Sequence, residues 1–120
     1  MMKLYVNIAI SNNMVKDYKQ AHIYADKAVK KDPTNIKAMY NRAVSGANLS
    51  LFDEANSDFK KVLEKNPSDI KAKQEYEKMK KSRAAYLKKQ QGMLKGLFDG
   101  GVYDDKKVVT LHTKLPAYNA

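Results

Sequence analysis

Positively charged side chains are concentrated in one stretch of this 120-residue chain. Residues 78 to 95 contain no acid and carry the cations Lys78, Lys80, Lys81, Arg83, Lys88, Lys89 and Lys95. Apolar residues recur among and just after them, namely Met79, Tyr86, Leu87, Met93, Leu94, Leu97 and Phe98. A basic amphipathic helix of this kind suits calmodulin, an acidic lipid surface or another acidic partner. The alternative is a solvated helix end that keeps a helical array soluble.

The residue types argue against catalysis and metal binding. The chain has no cysteine, which excludes disulfides, thiolate zinc sites and thiol chemistry, and its two histidines, His22 and His112, lie far apart. No nucleophile–base or carboxylate pair stands out, so no catalytic residue is expected. A calcium loop starting at Asp99 fails because its twelfth position holds Thr110 instead of Glu. We therefore expect no active site, no metal and no cofactor.

Charge and composition narrow the class of protein. Lys and Arg total 23 against 13 Asp and Glu, a net charge of +10, and most of the excess lies in residues 68–98. No aromatic platform, helix-turn-helix or Gly-rich phosphate loop accompanies the cations, so nucleic acid is not an expected partner. No apolar run approaches the roughly 20 residues that span a bilayer, and no signal-peptide pattern is present. These features predict a cytoplasmic, mostly helical protein without a membrane span.

The sequence repeats itself after 34 residues. Pro33 and Pro67 are separated by this interval. The same shift aligns Lys3 with Lys37, Asn7 with Asn41, Ala9 with Ala43, Tyr18 with Phe52, Ala21 with Ala55 and Ile36 with Ile70. Each copy has the apolar spacing of two amphipathic helices, with small alanines where the helices approach each other. The pattern predicts two stacked helix pairs.

Capping residues and prolines place the helices. We expect helices over about 2–13, 18–31, 35–49 and 53–65, with Asp17 as the N-cap of the second. An Asp-Pro or Asn-Pro step ends the second and fourth helices, because proline lacks an N–H and restricts the residue before it. Ser68 or Asp69 caps a long helix from Ile70 to about Leu97. The expected domains are two helix pairs over 1–67, a basic capping helix over 68–98 and a flexible tail over 99–120.

The repeat resembles the tetratricopeptide repeat (TPR). The family pattern of Ala, three residues, a bulky residue and then Pro is present as Ala55, Phe59 and Pro67, with the family's 34-residue period. The resemblance implies an all-α fold in which antiparallel helix pairs form a right-handed solenoid with a long C-terminal helix.

A narrower resemblance is to the C-terminal repeat domain of FK506-binding-protein-type immunophilins, the large peptidyl-prolyl isomerases that act as co-chaperones. The segments LYVNIAI, NIKAMYNRA and MLKGLFDGG carry it, over about residues 2–105. The resemblance implies a protein-binding module that lacks the isomerase domain, so the chain is not expected to be an enzyme. It also implies calmodulin binding as a function of the basic helix.

In that family, helix residues line a groove that holds the C-terminal carboxylate of chaperones such as Hsp90. Asn7 and Lys37 match two of the family's groove residues, whereas Asn41 stands where the family usually has Arg. Arg42 is one step further along the helix and is turned roughly 100° away. The expected groove residues are Asn7, Lys37, Asn41, Lys3 and Lys71. Of these, Asn7 and Lys37 match the carboxylate clamp, which is therefore incomplete, and the other three widen a basic groove on the same face. The alternative is that these are ordinary solvated residues.

The first helix leads to an expectation about self-association. In the resembled family a preceding helix covers it, and Leu4 and Ile8 are apolar. An uncovered apolar face of this kind predicts a homo-oligomer.

Overall fold

The structure, a computed structural model, describes the backbone of residues 2–101 and the side chains of residues 3–98. Within this range the chain forms five helices and no strand. They are α1 (Met2–Met14), α2 (Tyr18–Lys31), α3 (Ile36–Asn48), α4 (Phe52–Lys65) and α5 (Ile70–Gly101). The expected all-α architecture of antiparallel helix pairs is confirmed.

Short polar side chains begin three of the helices. In each case the side-chain oxygen accepts a hydrogen bond from the amide three residues later, which satisfies a helical N–H that has no partner within the helix. The acceptors are Asp17 for α2 at 3.3 Å, Asn35 for α3 at 3.0 Å and Asp69 for α5 at 3.0 Å. Asp69, rather than Ser68, is thus the cap of α5.

The turn inside each helix pair has the same backbone conformation. Lys16 and Ser50 both adopt the left-handed region at φ 64°, where side chains other than glycine are uncommon. In both turns the amide of the next residue donates to the carbonyl five residues before it, over 2.8 Å. This hydrogen bond caps the C-terminal end of α1 and of α3 in the same way. Since Lys16 and Ser50 are 34 residues apart, the sequence repeat is also a structural repeat.

Alanines and one phenylalanine form the centre of the packing. The repeat-equivalent alanines Ala9, Ala43, Ala21 and Ala55 are all fully buried. Small side chains at these positions let the helices approach closely. Phe59 on α4 is also fully buried, with Tyr40 and Tyr76 on either side at ring distances of 6.3 Å and 5.9 Å. Because Tyr76 lies on α5, the beginning of α5 covers the second helix pair.

A buried ionic cluster joins α2, α3 and α4. Arg42 on α3 donates from Nε and Nη2 to the two carboxylate oxygens of Asp58 on α4, at 2.8 Å and 2.9 Å. Its Nη1 donates to Asp26 on α2 at 2.9 Å, and Lys30 lies 3.0 Å from the other oxygen of Asp26. We call these four residues the Arg42 cluster. Only 1% of the Asp58 side chain is exposed, so its charge is neutralised inside the protein.

The cluster shifts the pKa values of its members in the directions that stabilise the ion pairs. Burial alone would raise the pKa of Asp26, but hydrogen bonds and charge from Lys30 and Arg42 outweigh it, so the pKa is lowered. The hydrogen bond to Asp58 raises the pKa of Arg42 despite its burial. A carboxyl whose pKa is lowered by folding stabilises the fold above its unfolded pKa, and this contribution is lost as pH falls through the folded value.

Helix α5 is longer than expected and belongs to two units. Residues through Arg83 belong to the compact unit that contains the helix pairs, and residues from Ala84 onward belong to a second one. The helix continues to Gly101 instead of ending near Leu97. Gly92 and Gly96 have open space around them, and an interior glycine weakens a helix by about 1 kcal/mol without ending it. Residues 102–120, most of the expected tail, lie outside the described residues.

We predict that Arg42→Met lowers the free energy of unfolding by about 3–5 kcal/mol, because it leaves the buried Asp58 carboxylate without its cation. Urea denaturation followed by circular dichroism measures the change. The double variant Arg42→Met, Asp58→Leu should recover much of the loss.

The matched control is Arg83→Met. Arg83 lies 3.7 Å from the exposed Asp53, so we expect a change below about 1 kcal/mol. Equal destabilisation by the two arginine variants would contradict a special role for Arg42.

Candidate peptide-binding face

The first helix of each pair, α1 or α3, lies beside its counterpart, and the start of α5 takes the next place. Asn13 on α1 donates from Nδ2 to the backbone oxygen and to Oδ1 of Asn41 on α3, both at 3.1 Å. A cleft between α3 and α5 is lined by Asn48 on one side and Glu75 on the other. We call the exposed surface of α1, α3 and residues 70–83 the helix A face.

Four of the five expected groove residues are exposed on these three helices. Lys3, Lys37 and Lys71 occupy the same position of successive 34-residue units, and Asn7 lies one turn after Lys3. The three lysines give the helix A face one positive charge in each unit. Such point charges suit an anionic ligand that runs across the helices.

Asn41 differs from the expectation, because it is buried with 6% of its surface exposed. Its Nδ2 donates to the backbone oxygen of Lys37 at 2.8 Å, and its Oδ1 accepts from Asn13. A buried amide must find partners inside the protein, and here α3 itself supplies one and the neighbouring helix α1 supplies the other. Asn41 therefore fixes α1 against α3 instead of contributing an open amide to the face.

Sequence reasoning missed Glu75 on this face, whose carboxylate interacts electrostatically with Tyr40. Both are half-buried, one on α5 and the other on α3. Burial raises the pKa of Tyr40 to about 12, with smaller contributions from the negative charges of Glu75 and Asp69. Glu75 lies 34 residues after Asn41, so the repeat spacing is the signal that could have located it.

The basic segment of α5 contains both paired and exposed cations. Lys80 lies 2.9 Å from Glu77 and over the ring of Tyr76, and Arg83 lies near Asp53. Lys78, Lys81, Lys88, Lys89 and Lys95 are exposed. Four large apolar side chains of the segment are also well exposed: Leu87, Met93, Leu94 and Phe98. The segment after Ala84 thus has apolar and basic side chains in contact with solvent.

The described residues contain neither a cluster of potential metal ligands nor a membrane-spanning helix. No three His, Cys, Asp or Glu side chains of this part of the chain are grouped to hold a metal ion. His22, one of the two histidines, has its Nε2 atom 2.5 Å from Oε1 of Glu54. The helices of residues 2–101 include none that is long and apolar enough to cross a bilayer.

The packing of these helices is similar to that of known proteins. A solved structure with similar helix packing is the C-terminal TPR-containing domain of an FK506-binding protein from Plasmodium falciparum. It superposes with a TM-score of 0.66 at 27% identity, over 76% of this chain and 58% of that one. The helix array of this chain therefore resembles a TPR domain of the FK506-binding-protein type.

Sequence relatives of the chain agree with this structural similarity. An FK506-binding protein-like protein of Mus musculus is 34% identical over 76 residues, and the peptidyl-prolyl cis-trans isomerase FKBP42 of Arabidopsis thaliana is 29% identical over 96 residues. These matches cover 63% and 80% of this chain, but only 22% and 26% of the relatives. They fall in the TPR-bearing region of the relatives. No protein-family model matches the chain.

We predict different consequences for the two repeat-equivalent asparagines. Asn41→Ala should lower the free energy of unfolding by about 1–3 kcal/mol, because it removes the buried Asn41 amide and leaves the half-buried Asn13 amide with only the backbone oxygen of residue 41 as acceptor. Asn7→Ala should change it by less than about 0.5 kcal/mol, because Asn7 is exposed. Thermal and urea denaturation of both variants measure the difference, and a larger loss for Asn7→Ala would contradict the assignment.

Proposed function

We propose that this TPR domain binds the C-terminal peptides of chaperones of the Hsp90 type along its helix A face. The observation that carries the proposal is the exposure of Lys3, Lys37 and Lys71 at one repeat-equivalent position, with Asn7 beside them. A lysine attracts the terminal carboxylate, and an exposed asparagine can pair with an extended peptide backbone. Solenoids of this class bind partners along extended surfaces of this sort.

The clamp in this proposal is incomplete, so binding is expected to be weak. Asn41 takes the place of a second cation, and its amide already bonds to Lys37 and Asn13. Arg42 is also committed elsewhere, since Asp26 and Asp58 hold its guanidinium. A carboxylate bound beside Lys3, Lys37 and Lys71 would therefore meet lysines there, without the bidentate fork of an arginine.

The proposal includes two further points about these 120 residues. They act as a binding module without prolyl-isomerase activity of their own, which a proline-isomerisation assay checks. Their place of action is the cytoplasm, where chaperone tails are available.

We predict that an acidic pentapeptide with a free carboxyl terminus, of the Hsp90 type, binds the chain weakly. Lys37→Ala should weaken binding about three- to tenfold, because it removes one charge-assisted contact to the carboxylate. Isothermal titration calorimetry measures both affinities. Lys61→Ala, which removes an exposed lysine from α4, is the control and should leave the affinity unchanged. No heat with the unmodified chain would remove the assignment of the helix A face.

A second candidate function belongs to residues 78–98, where we propose binding of calmodulin or another acidic partner. The observation that favours it is the exposure of Leu87, Met93, Leu94 and Phe98 beside unpaired lysines in one helix. Calmodulin-type partners bind the apolar side of such a helix and add contacts to its basic side.

We predict that the chain binds calmodulin with calcium present and loses it when a chelator is added. Leu94→Glu should reduce the affinity at least tenfold, because it places a charge in the apolar contact. Val15→Glu, at an exposed apolar position outside this segment, is the matched control. Fluorescence anisotropy of labelled calmodulin reads out both variants. Calcium-independent binding, or equal loss in both variants, would contradict this assignment.

Self-association through α1 stays a prediction. Leu4 is exposed and Ile8 is half-buried on this helix. Sedimentation at high concentration measures it.

A further inference from the structure

The equivalent positions Asn7, Asn41 and Glu75 differ in chemistry along the helix A face. Asn7 is exposed, Asn41 is closed by hydrogen bonds inside the protein, and Glu75 is half-buried. The face therefore carries one lysine in each of its three units, and its third unit also carries the Glu75 carboxylate. A ligand that only carries negative charge meets attraction at the lysines and repulsion at Glu75.

A small recess adjoins Glu75. Its volume is about 20 Å³, close to the minimum that one water-sized group needs. An ammonium head is a group of that size, whereas a guanidinium is larger. Polar side chains that can accept hydrogen bonds stand around the recess together with aliphatic ones. The lining residues are Ala47, Asn48, Glu75, Lys78, Met79 and Ser82.

Glu75 has no ion-pair partner among the described side chains. The neighbouring pair in the helix is Lys80 with Glu77, and none of the other described ion pairs includes Glu75. The Glu75 carboxylate contributes to the raised pKa of Tyr40. A half-buried carboxylate that forms no ion pair is a favourable place for a cation, because no direct contact with an opposite charge offsets its desolvation. Lys78 lines the same recess without forming an ion pair with Glu75.

We infer that the helix A face selects peptides that carry a lysine side chain as well as a terminal carboxylate, with Glu75 as the specificity-determining residue. This inference rests on the proposed function, in which Lys3, Lys37 and Lys71 bind the peptide's terminal carboxylate. The lysine ammonium enters the recess beside Glu75, where Asn48 and Ser82 offer further acceptors. Lys78 also lines the recess, so the attraction of Glu75 for the ammonium has to outweigh the repulsion from Lys78.

The experiment compares an acidic pentapeptide with four variants. Each variant carries a single lysine at a different one of the four positions before the terminal residue. Calorimetry with the 120-residue chain gives the affinities. One lysine peptide should bind about fivefold tighter than the parent, the gain typical of one partly exposed charge pair. Arginine at that position should give a smaller gain. Glu75→Gln should abolish the preference, and Glu64→Gln, which removes an exposed charge from α4, should preserve it.

The outcomes separate this inference from the proposed function. Binding of all peptides with equal affinity, or a lysine preference that survives Glu75→Gln, overturns the role of Glu75 and leaves carboxylate binding in place. A Lys37→Ala variant that weakens every peptide alike then supports the helix A face by itself. Absence of binding by every peptide overturns both the proposed function and the inference.

Discussion

Asp58 is a carboxylate in the protein interior, and such a group is tolerated there only when a cation and hydrogen bonds meet it. Arg42 provides both, through two parallel hydrogen bonds. Because the same guanidinium also bonds to Asp26, one residue of α3 fixes the positions of α2 and α4. The contact between His22 and Glu54 joins α2 to α4 a second time. The two helix pairs are therefore held together by specific polar contacts as well as by alanine and phenylalanine packing.

This constraint determines what the helix A face has to offer a ligand. The only arginine of α3 points into the Arg42 cluster, so the exposed cations of the face are lysines, which bind as point charges. Asn41 is likewise used for packing α1 against α3. The polar residues of α3 thus serve mainly to build the array. In the proposed binding mode, the contacts to the peptide come from Lys37 and from the residues of α1 and α5 on either side of it.

The sequence predicted the helices well, because their ends depend on local chemistry. Asp17, Asn35 and Asp69 are short side chains that cap the next turn, and each lies close to an expected boundary. The partners of Arg42 were not predictable, since Asp26 and Asp58 lie 16 residues away in either direction. Burial of Asn41 depends on Asn13, 28 residues earlier. Which residues of the helix A face bind a peptide remains a proposal, because the amino-acid pattern specifies helix faces better than contacts across them.

The matching turns at Lys16 and Ser50 have a consequence for how such an array can grow. Duplicating residues 33–66 would reproduce every turn and cap, so the backbone would accept an additional unit. The side chains would not fit in the same way. The original Arg42 bonds to Asp26, whereas the new copy of Arg42 would have Lys60 at the equivalent position. In the present chain the place of this new copy is taken by Tyr76, which rests on Phe59 and needs no counter-ion. Lengthening by simple duplication would thus bring two like charges together, unless Lys60 were also exchanged for an acid.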